Sequence, residues 1–332
     1  MSTMRDVALR AGVSTKTVSR VFNDDRHVTD ETRERVQAAM LELQYVPNLM
    51  ARGLRVGKDK ALGIGVPDVS DPFFAAIIRS IELTAAQRGI AVVVTSLGTD
   101  PALERVNVEA LLRRQIVGLF VVPTSPDQSY MRSWPGETPV VFIDRTPAGF
   151  RADSFVEDDQ AAARLATEHL LKHGHTRVGF IGDSDEIPTT RNRLKGYREA
   201  LSAAGHDLDN DLVLLGWGAG RPDAELLPQV TGPGAPTALF SSNARSTIQL
   251  LTALDVSQRH RTAIVSFGDL DLAAAVEPAL SVVDQDPHRL GAMAAERMFA
   301  KIDHPEKKFR RKTVYPTHLI ERGSGELPPP TT

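Results

Sequence analysis

The chain has 332 residues, 42% of them hydrophobic and 24% charged, with a net charge of −3 and no cysteine. Disulfides and thiol catalysis are excluded, and no basic n-region with an apolar h-region and no apolar run long enough to span a membrane stands out. A cytoplasmic chain of more than one domain is therefore expected.

The first 60 residues differ in character from the rest. They carry 11 Lys/Arg against 8 Asp/Glu, a net of +3, whereas the remainder carries 28 against 34, a net of −6. A basic head on an acidic body fits nucleic-acid binding by the head. Thr3 and Asp6 are spaced as a capping box for a first helix, with Val7, Ala8 and Ala11 on one face. Gly12 falls where the chain must turn, and Ser14 is a good cap for a second helix whose inner face is Val18, Val21 and Phe22. The opposite face carries Thr15, Lys16, Thr17, Ser19 and Arg20, hydroxyls and cations suited to phosphates and base edges. A third amphipathic helix over 29–43, capped by Thr29, completes an all-α head with Val36, Met40 and Leu43 inside. Two short helices joined by a tight turn make a helix-turn-helix. Residues 46–58 follow as a linker in which Pro47-Asn48 opens about two helical turns, marginal in isolation.

Beyond Lys60, short apolar runs at 62–66, 90–95, 117–122, 140–143, 178–181, 212–215, 238–240 and 263–267 alternate with amphipathic stretches at 74–88, 101–114, 160–173, 190–204, 243–254 and 287–302. That alternation predicts doubly wound parallel sheets, and the length predicts two such lobes. Ligands of this architecture bind beyond the carboxyl ends of the strands, in the cleft between lobes. Residues 325–332, rich in proline, are expected to be a disordered tail. His169, His173 and His175 do not share one helical face, and no metal or cofactor is expected. Gly179 and Gly182 are too closely spaced for a dinucleotide loop. No Ser/His/Asp set or paired-carboxylate motif stands out, so the chain is not expected to be an enzyme. The core alone still fits a solute-binding protein or a sugar-processing enzyme, because a fold does not fix a function. The basic run 307–312 reads as a solvated segment before a last strand.

Several runs together resemble the lactose-repressor/galactose-repressor (LacI/GalR) family of bacterial transcription regulators. They are Val13-Ser14-x-x-Thr17-Val18-Ser19-Arg20-Val21-Phe22-Asn23, Thr32-Arg33-Glu34-Arg35-Val36 and Tyr45-Val46-Pro47-Asn48-x-x-Ala51-Arg52-x-Leu54. Asp71-Pro72-Phe73-Phe74, Arg193-Leu194-x-Gly196-Tyr197 and Leu319-Ile320-Glu321-Arg322-x-Ser324 continue the likeness through the chain. The resemblance implies a repressor that binds a pseudo-palindromic operator as a homodimer, under control of a sugar-like effector. It implies a helix-turn-helix domain over 1–46, a hinge over 47–58, and a periplasmic-binding-protein-like body over 59–324. The first lobe is placed at about 61–155 plus 286–312, and the second at about 158–284 plus 315–324.

By the same resemblance Thr15, Lys16 and Arg20 read bases, while Ser14, Thr17, Ser19, Asn23 and His27 lie at or near backbone contacts. Tyr45, Asn48, Ala51, Leu54 and Arg55 extend the DNA-contacting set, with Leu54 as a minor-groove wedge. Gly53 stands where a better helix former is usual, which costs roughly 1 kcal/mol of hinge-helix stability. The expected effector contacts are Asp71, Phe73, Phe74, Asp144, Thr189, Arg193, Trp217, Asn243, Asp269 and Gln285. Arg193 is the foremost, since a guanidinium offers a fixed fork of donors to hydroxyls or anions. One of Phe73 and Phe74 is expected to line the pocket and the other to pack inside. In Ser266-Phe267-Gly268-Asp269, glycine occupies the place of a ligand-gripping aspartate. Either Asp269 shifts into the role or the ligand lacks the group that aspartate binds, which tilts the expectation toward an anion.

Overall fold

A computed structural model describes residues 3–22, 25–45, 61–114, 116–134, 138–218 and 221–330. The expected hinge, with Asn48, Ala51, Leu54 and Arg55, lies outside the described residues, as does Asn23. The chain divides into two compact units, Met1–Asp59 and Lys60–Thr332.

The first unit is built by three helices, α1 (Met4–Ala11), α2 (Thr15–Phe22) and α3 (Asp30–Glu42). Thr3 and Asp6 form the reciprocal capping box: Asp6 N–H donates to Thr3 Oγ1 at 3.3 Å, and Thr3 N–H donates to Asp6 Oδ2 at 2.7 Å. Gly12 ends α1 with φ +66°, the left-handed conformation that a side chain would strain. Ser14 Oγ then accepts the Thr17 N–H at 3.1 Å and starts α2. Val7, Ala8, Ala11, Val18, Val21, Val36 and Ala39 are buried together, so the small side chains of α1 let the other helices approach closely. From α3, the Arg35 guanidinium donates to the Ala11 carbonyl at 2.9 Å and ties the turn to the third helix.

The second unit contains two six-stranded sheets. The first lobe orders its strands β11 (Lys312–Tyr315), β5 (Asp153–Glu157), β4 (Val140–Ile143), β3 (Gly118–Val121), β1 (Ala61–Val66) and β2 (Ala91–Ser96), all pairs parallel. The second orders β12 (His318–Ile320), β10 (Ser281–Asp284), β9 (Ala263–Phe267), β8 (Ala238–Ser241), β6 (Val178–Gly182) and β7 (Val213–Leu215). Only β12 runs antiparallel to its neighbour. All eight expected apolar runs hold a strand, and the central strands are buried along their length, as sheets covered on both faces require.

Helices α4 (Pro72–Ala86), α5 (Pro101–Leu112) and α11 (Pro287–Asp303) cover the first sheet. The second is covered by α6 (Asp159–Lys172), α7 (Pro188–Ala203), α8 (Asp223–Thr231) and α9 (Ala244–Ala253), with a short α10 (Val256–Arg259) following. Three helices begin with Asp-Pro, at Asp71-Pro72, Asp100-Pro101 and Asp286-Pro287. The aspartate carboxylate accepts a backbone N–H of the first turn, and proline supplies the preset φ. No helix among the described residues is long and apolar enough to cross a membrane.

Two expectations require correction. The lobe boundaries shift: β5 runs to Glu157 and β11 to Tyr315, both within the first sheet, so the crossings fall at 157–159, 284–287 and 315–318. The tail is ordered through Pro330 rather than disordered. Glu326 Oε1 lies 2.5 Å from His169 Nε2, and its Oε2 accepts from Ser281 Oγ at 2.8 Å. His175 Nε2 donates to the Leu327 carbonyl at 2.8 Å, and Leu327 packs on the second-lobe core. Proline-rich composition argues against a core of its own; it does not prevent a segment from docking through one carboxylate and one leucine.

Candidate functional site

In the head, α2 exposes Thr15, Lys16 and Arg20, with Thr17 and Ser19 half-buried beside them. The inner residues of the same helix, Val18 and Val21, anchor it to the core, so the polar face is rigidly displayed. Arg20 lies 3.6 Å from Asp25, whose carboxylate also accepts the His27 N–H at 2.9 Å; that hydrogen bond holds the Asp25 carboxyl below its usual range. Ser14 is committed to capping, and its Oγ is also 2.9 Å from Thr17 Oγ1. Tyr45 is half-buried against the head core and follows directly on the α3 end, with its N–H on the Met40 carbonyl at 2.9 Å.

In the body, a cavity of about 740 Å³ lies between the two lobes. Its wall is made largely of the residues that directly follow the strands. Pro67 and Asp68 follow β1, Asp144 and Arg145 follow β4, Asp183 follows β6, Gly216 follows β7, Asn243 follows β8, and Gln285 follows β10. Ligand sites of open parallel sheets form at these ends, and the size falls within the range of small-molecule pockets. The cap and first turn of α4 add Asp71, Phe73 and Phe74, and the first two turns of α7 add Thr189, Thr190 and Arg193.

Eight of the ten expected effector residues line this cavity: Asp71, Phe73, Phe74, Asp144, Thr189, Arg193, Asn243 and Gln285. Phe74 is 6% exposed and belongs to the first-lobe core; Phe73 is half-buried and meets it edge-on at 5.3 Å, so both rings border the cavity rather than one alone, and Phe73 is the more exposed of the two. Arg193 is buried and held on three sides. Its Nε donates to Asp159 at 2.7 Å, its Nη1 donates to the Ser242 carbonyl at 2.6 Å, and its guanidinium lies 3.7 Å from the Phe267 ring centre. Asp144 has φ +68°, an uncommon conformation that aspartate tolerates, with its N–H on the Phe155 carbonyl. Asn243 caps α9, Oδ1 accepting the Ser246 N–H at 2.8 Å.

The other two do not belong to the site. Trp217 is wholly buried in the second-lobe core under the Arg221 guanidinium. Asp269 is clamped by Arg322 through two hydrogen bonds of 2.8 and 2.6 Å, so it does not take the missing role. Gly268 has φ +98°, and a Cβ there would sit 3.1 Å from Gln285 Oε1. The carboxamide of Gln285 thus fills the space into which a residue-268 side chain would project.

Sequence reasoning missed Asp183, Arg145, Arg245, Thr124 and Thr190, which also line the cavity. Their signal was position: all but Arg245 and Thr190 closely follow a strand. Thr124 is fixed by the wholly buried Glu104, whose carboxylate accepts from Thr124 Oγ1 and Gln128 Nε2 at 2.7 Å each and from the Tyr130 hydroxyl at 3.0 Å. Behind the cavity wall, burial pushes the Asp159 carboxyl up to about 6 despite the Arg193 guanidinium. Burial, with Asp144 and Asp159 nearby, pushes Glu157 well above the usual carboxylate range. Gln285 Nε2 approaches Glu157 Oε1 at 3.4 Å, which links two of the three lobe crossings. Among the described residues no group of histidines or carboxylates is arranged to hold a metal.

Comparison with known proteins follows this division. Residues 3–48 match the family described as bacterial regulatory proteins, lacI family, and residues 167–325 match a periplasmic binding protein-like domain. The chain is 30% identical over 332 residues to the ribose operon repressor of Escherichia coli (strain K12), covering 98% of this chain and 100% of that protein. It is 31% identical over 336 residues to the transcriptional regulator GalR of the same organism, covering 99% and 97%. Among solved structures it superposes on the Lac repressor bound to ONPG in the repressed state with a TM-score of 0.79 at 25% identity, covering 97% and 99%. The exposed polar face of a helix-turn-helix, the two-lobed body with its cleft, and this end-to-end similarity place the chain in the LacI family of bacterial regulatory proteins.

Proposed function

We propose that the chain is a transcriptional repressor that grips a pseudo-palindromic operator as a homodimer, and that a small hydroxyl-rich molecule in the cleft sets its DNA affinity. Residues 1–46 are the DNA-binding domain, 47–58 the hinge, and 59–324 the effector-binding and dimerisation body. One observation carries the reading: a single chain joins a displayed face of hydroxyls and cations on a helix-turn-helix to a cavity built where the strand ends of two sheets converge. Thr15, Lys16 and Arg20 read base edges, a good bidentate contact being worth about 1–3 kcal/mol of discrimination. Ser14, Thr17, Ser19, Asn23, His27 and Tyr45 position the head on the phosphates, and Asn48, Ala51, Leu54 and Arg55 complete the contact through the hinge.

In the cleft, Phe73 offers an apolar face while Asp71, Asp144, Thr189, Arg193, Asn243 and Gln285 supply polar contacts. The cavity has a binding rather than a catalytic role. Its arginines face carboxylates and carbonyls, and among the described residues no histidine, lysine or tyrosine lines it. The protein acts in the cytoplasm, where its DNA is. Three short crossings join the lobes, so a ligand that contacts both changes their relative angle. The first-lobe sheet begins with β1 immediately after the hinge, which carries that rotation toward the DNA contacts. Ligand affinity must differ between the DNA-competent and incompetent lobe angles for this to operate.

The test is capture of fragmented genomic DNA by the purified protein at fixed, near-physiological salt, followed by sequencing, and repeated with added cell metabolites. Salt is fixed because phosphate contacts make affinity steeply salt-dependent. Enrichment of a few fragments sharing a pseudo-palindrome is expected. No enrichment under either condition contradicts the proposal.

A further inference from the structure

The charged groups around the cleft are unevenly spent. Arg193 is engaged by Asp159 and the Ser242 carbonyl. Arg145 lies 3.2 Å from Asp144 and donates to the Pro123 carbonyl at 2.9 Å, and Arg245 reaches across the mouth to Asp68 at 3.3 Å. Arg191 donates to the carbonyls of Asp185 and Glu186 at 3.0 Å each. Three carboxylates that line the cavity stand otherwise: Asp71 on the first lobe, and Asp183 and the exposed Glu186 on the second, have no ion-pair partner among the described residues, and of these Asp71 and Asp183 are the two that are largely withdrawn from solvent. Burial raises both above their ordinary range, opposed at Asp71 by the Phe73 N–H and the Arg245 guanidinium and at Asp183 by the guanidinium groups of Arg245, Arg145 and Arg193.

Asp183 is held in one orientation. Asn243 spends Oδ1 on the cap of α9, which turns its Nδ2 toward Asp183 Oδ2 at 3.0 Å. The other oxygen, Oδ1, has no hydrogen-bond donor among the described residues, and Asp183 lines the cavity. The strand after which an aspartate is missing, β9, is separated from β6 only by β8, so Asp183 returns a carboxylate to the same end of the same sheet.

We infer that Asp183, oriented by Asn243, is a specificity-determining residue of the cleft, selecting an effector that presents hydroxyl or ammonium donors to it and rejecting carboxylates and phosphates. This rests on the reading of the cleft as the effector site and reverses the leaning toward an anion that Gly268 gave. A negative ligand group beside Asp183 would face an acceptor-only carboxylate, while Arg145, Arg193 and Arg245 each already face a carboxylate of the chain, Asp144, Asp159 and Asp68.

The experiment is calorimetric titration of the full-length protein with neutral pentoses and hexoses, their amino derivatives, their terminal phosphates and the matching aldonic acids, repeated on Asp183→Asn. At least one neutral or amino sugar is expected to bind, with its phosphate and acid at least about 100-fold weaker. Loss of a hydrogen bond to a charged group is worth roughly 10- to 100-fold, so Asp183→Asn should weaken the neutral ligand by about that factor and narrow the gap to its phosphate. The ligand-free melting temperature reports whether the variant is folded; if it is not, the wild-type ranking alone decides. A phosphate or acid that binds wild type as tightly as its neutral parent overturns the inference while leaving the effector site standing. So does a folded Asp183→Asn that keeps wild-type affinity for the neutral sugar. If no member of the series binds wild type, the sugar-like effector reading itself fails, and the selection by Asp183 with it.

Discussion

Replacing Arg193 with methionine tests the physical arrangement at the cleft most severely. The side chain is 5% exposed, pairs with Asp159 at 2.7 Å, satisfies the Ser242 carbonyl and covers the Phe267 ring. Methionine keeps much of the packing but strands the carboxylate, and breaking one side of a buried ion pair costs about 3–5 kcal/mol. The cost depends on pH in a defined direction. Burial raises the folded-state pKa of Asp159 from its ordinary 3.8 to about 6, so this group makes wild-type stability fall as pH rises from near 4 to near 6, and constant above. Without the guanidinium the folded pKa rises further, and the fall continues above pH 6. The gap between Arg193→Met and wild type therefore widens between about pH 5 and about pH 8, because protonation at the lower pH neutralises the stranded charge. The assay is urea denaturation of the full chain followed by fluorescence of Trp134 and Trp217. Adding Asp159→Asn to the variant should recover most of the loss at the higher pH. A single variant within about 1 kcal/mol of wild type near pH 8, or a gap independent of pH, refutes the reasoning, since a buried pair is worth more than that when half is removed.

Gly196→Ala should destabilise the second lobe by about 1–3 kcal/mol or more, because its Cβ would overlap the Gln160 carbonyl where α7 crosses α6; the urea midpoint reads it. Glu326→Ala should cost about 1.5–3 kcal/mol by releasing His169 and Ser281 from the docked tail, again read in urea, and an unchanged midpoint would mean the tail contributes nothing. Lys16→Ala and Arg20→Ala, measured by anisotropy on a recovered operator, should each lose about 1–3 kcal/mol if they contact base edges, with relaxed preference at one position. A residue that contacts only phosphate should instead weaken all sequences alike and lower the salt slope by about one.

The head was legible because each of its devices is local. Thr3 with Asp6, Gly12, and Ser14 with Thr17 are neighbours in sequence, and the cap and turn chemistry acts over three or four residues. The parallel sheets were legible through buried apolar runs such as those of β4 and β9. The strands that escaped notice are short and polar at their ends. β5 reads Asp-Ser-Phe-Val-Glu and is an interior strand only because β11 arrives from some 150 residues further on to pair with its free edge, while α11 packs on its Phe155. A tertiary partner of that kind leaves no local trace. For the cleft, resemblance pointed to eight lining residues but misplaced Trp217 and Asp269. Burial of the first and the Arg322 clamp on the second depend on distant chain. Asp183 was overlooked, although its place just after a strand marked it. What no inspection of the sequence could supply is the pairing of Arg193 with Asp159, Arg145 with Asp144 and Arg245 with Asp68, and it is this pairing that decides which charges remain for a ligand.

The most direct test of effector-controlled DNA binding is the affinity of the protein for its recovered operator, measured by anisotropy at one fixed salt concentration, with and without a saturating cleft ligand. A change of about 5- to 150-fold is expected, the size of a typical coupling free energy, and by reciprocity the operator should change the ligand's affinity by the same factor. Operator affinity that stays the same across saturating ligand would contradict the proposed coupling between cleft and head.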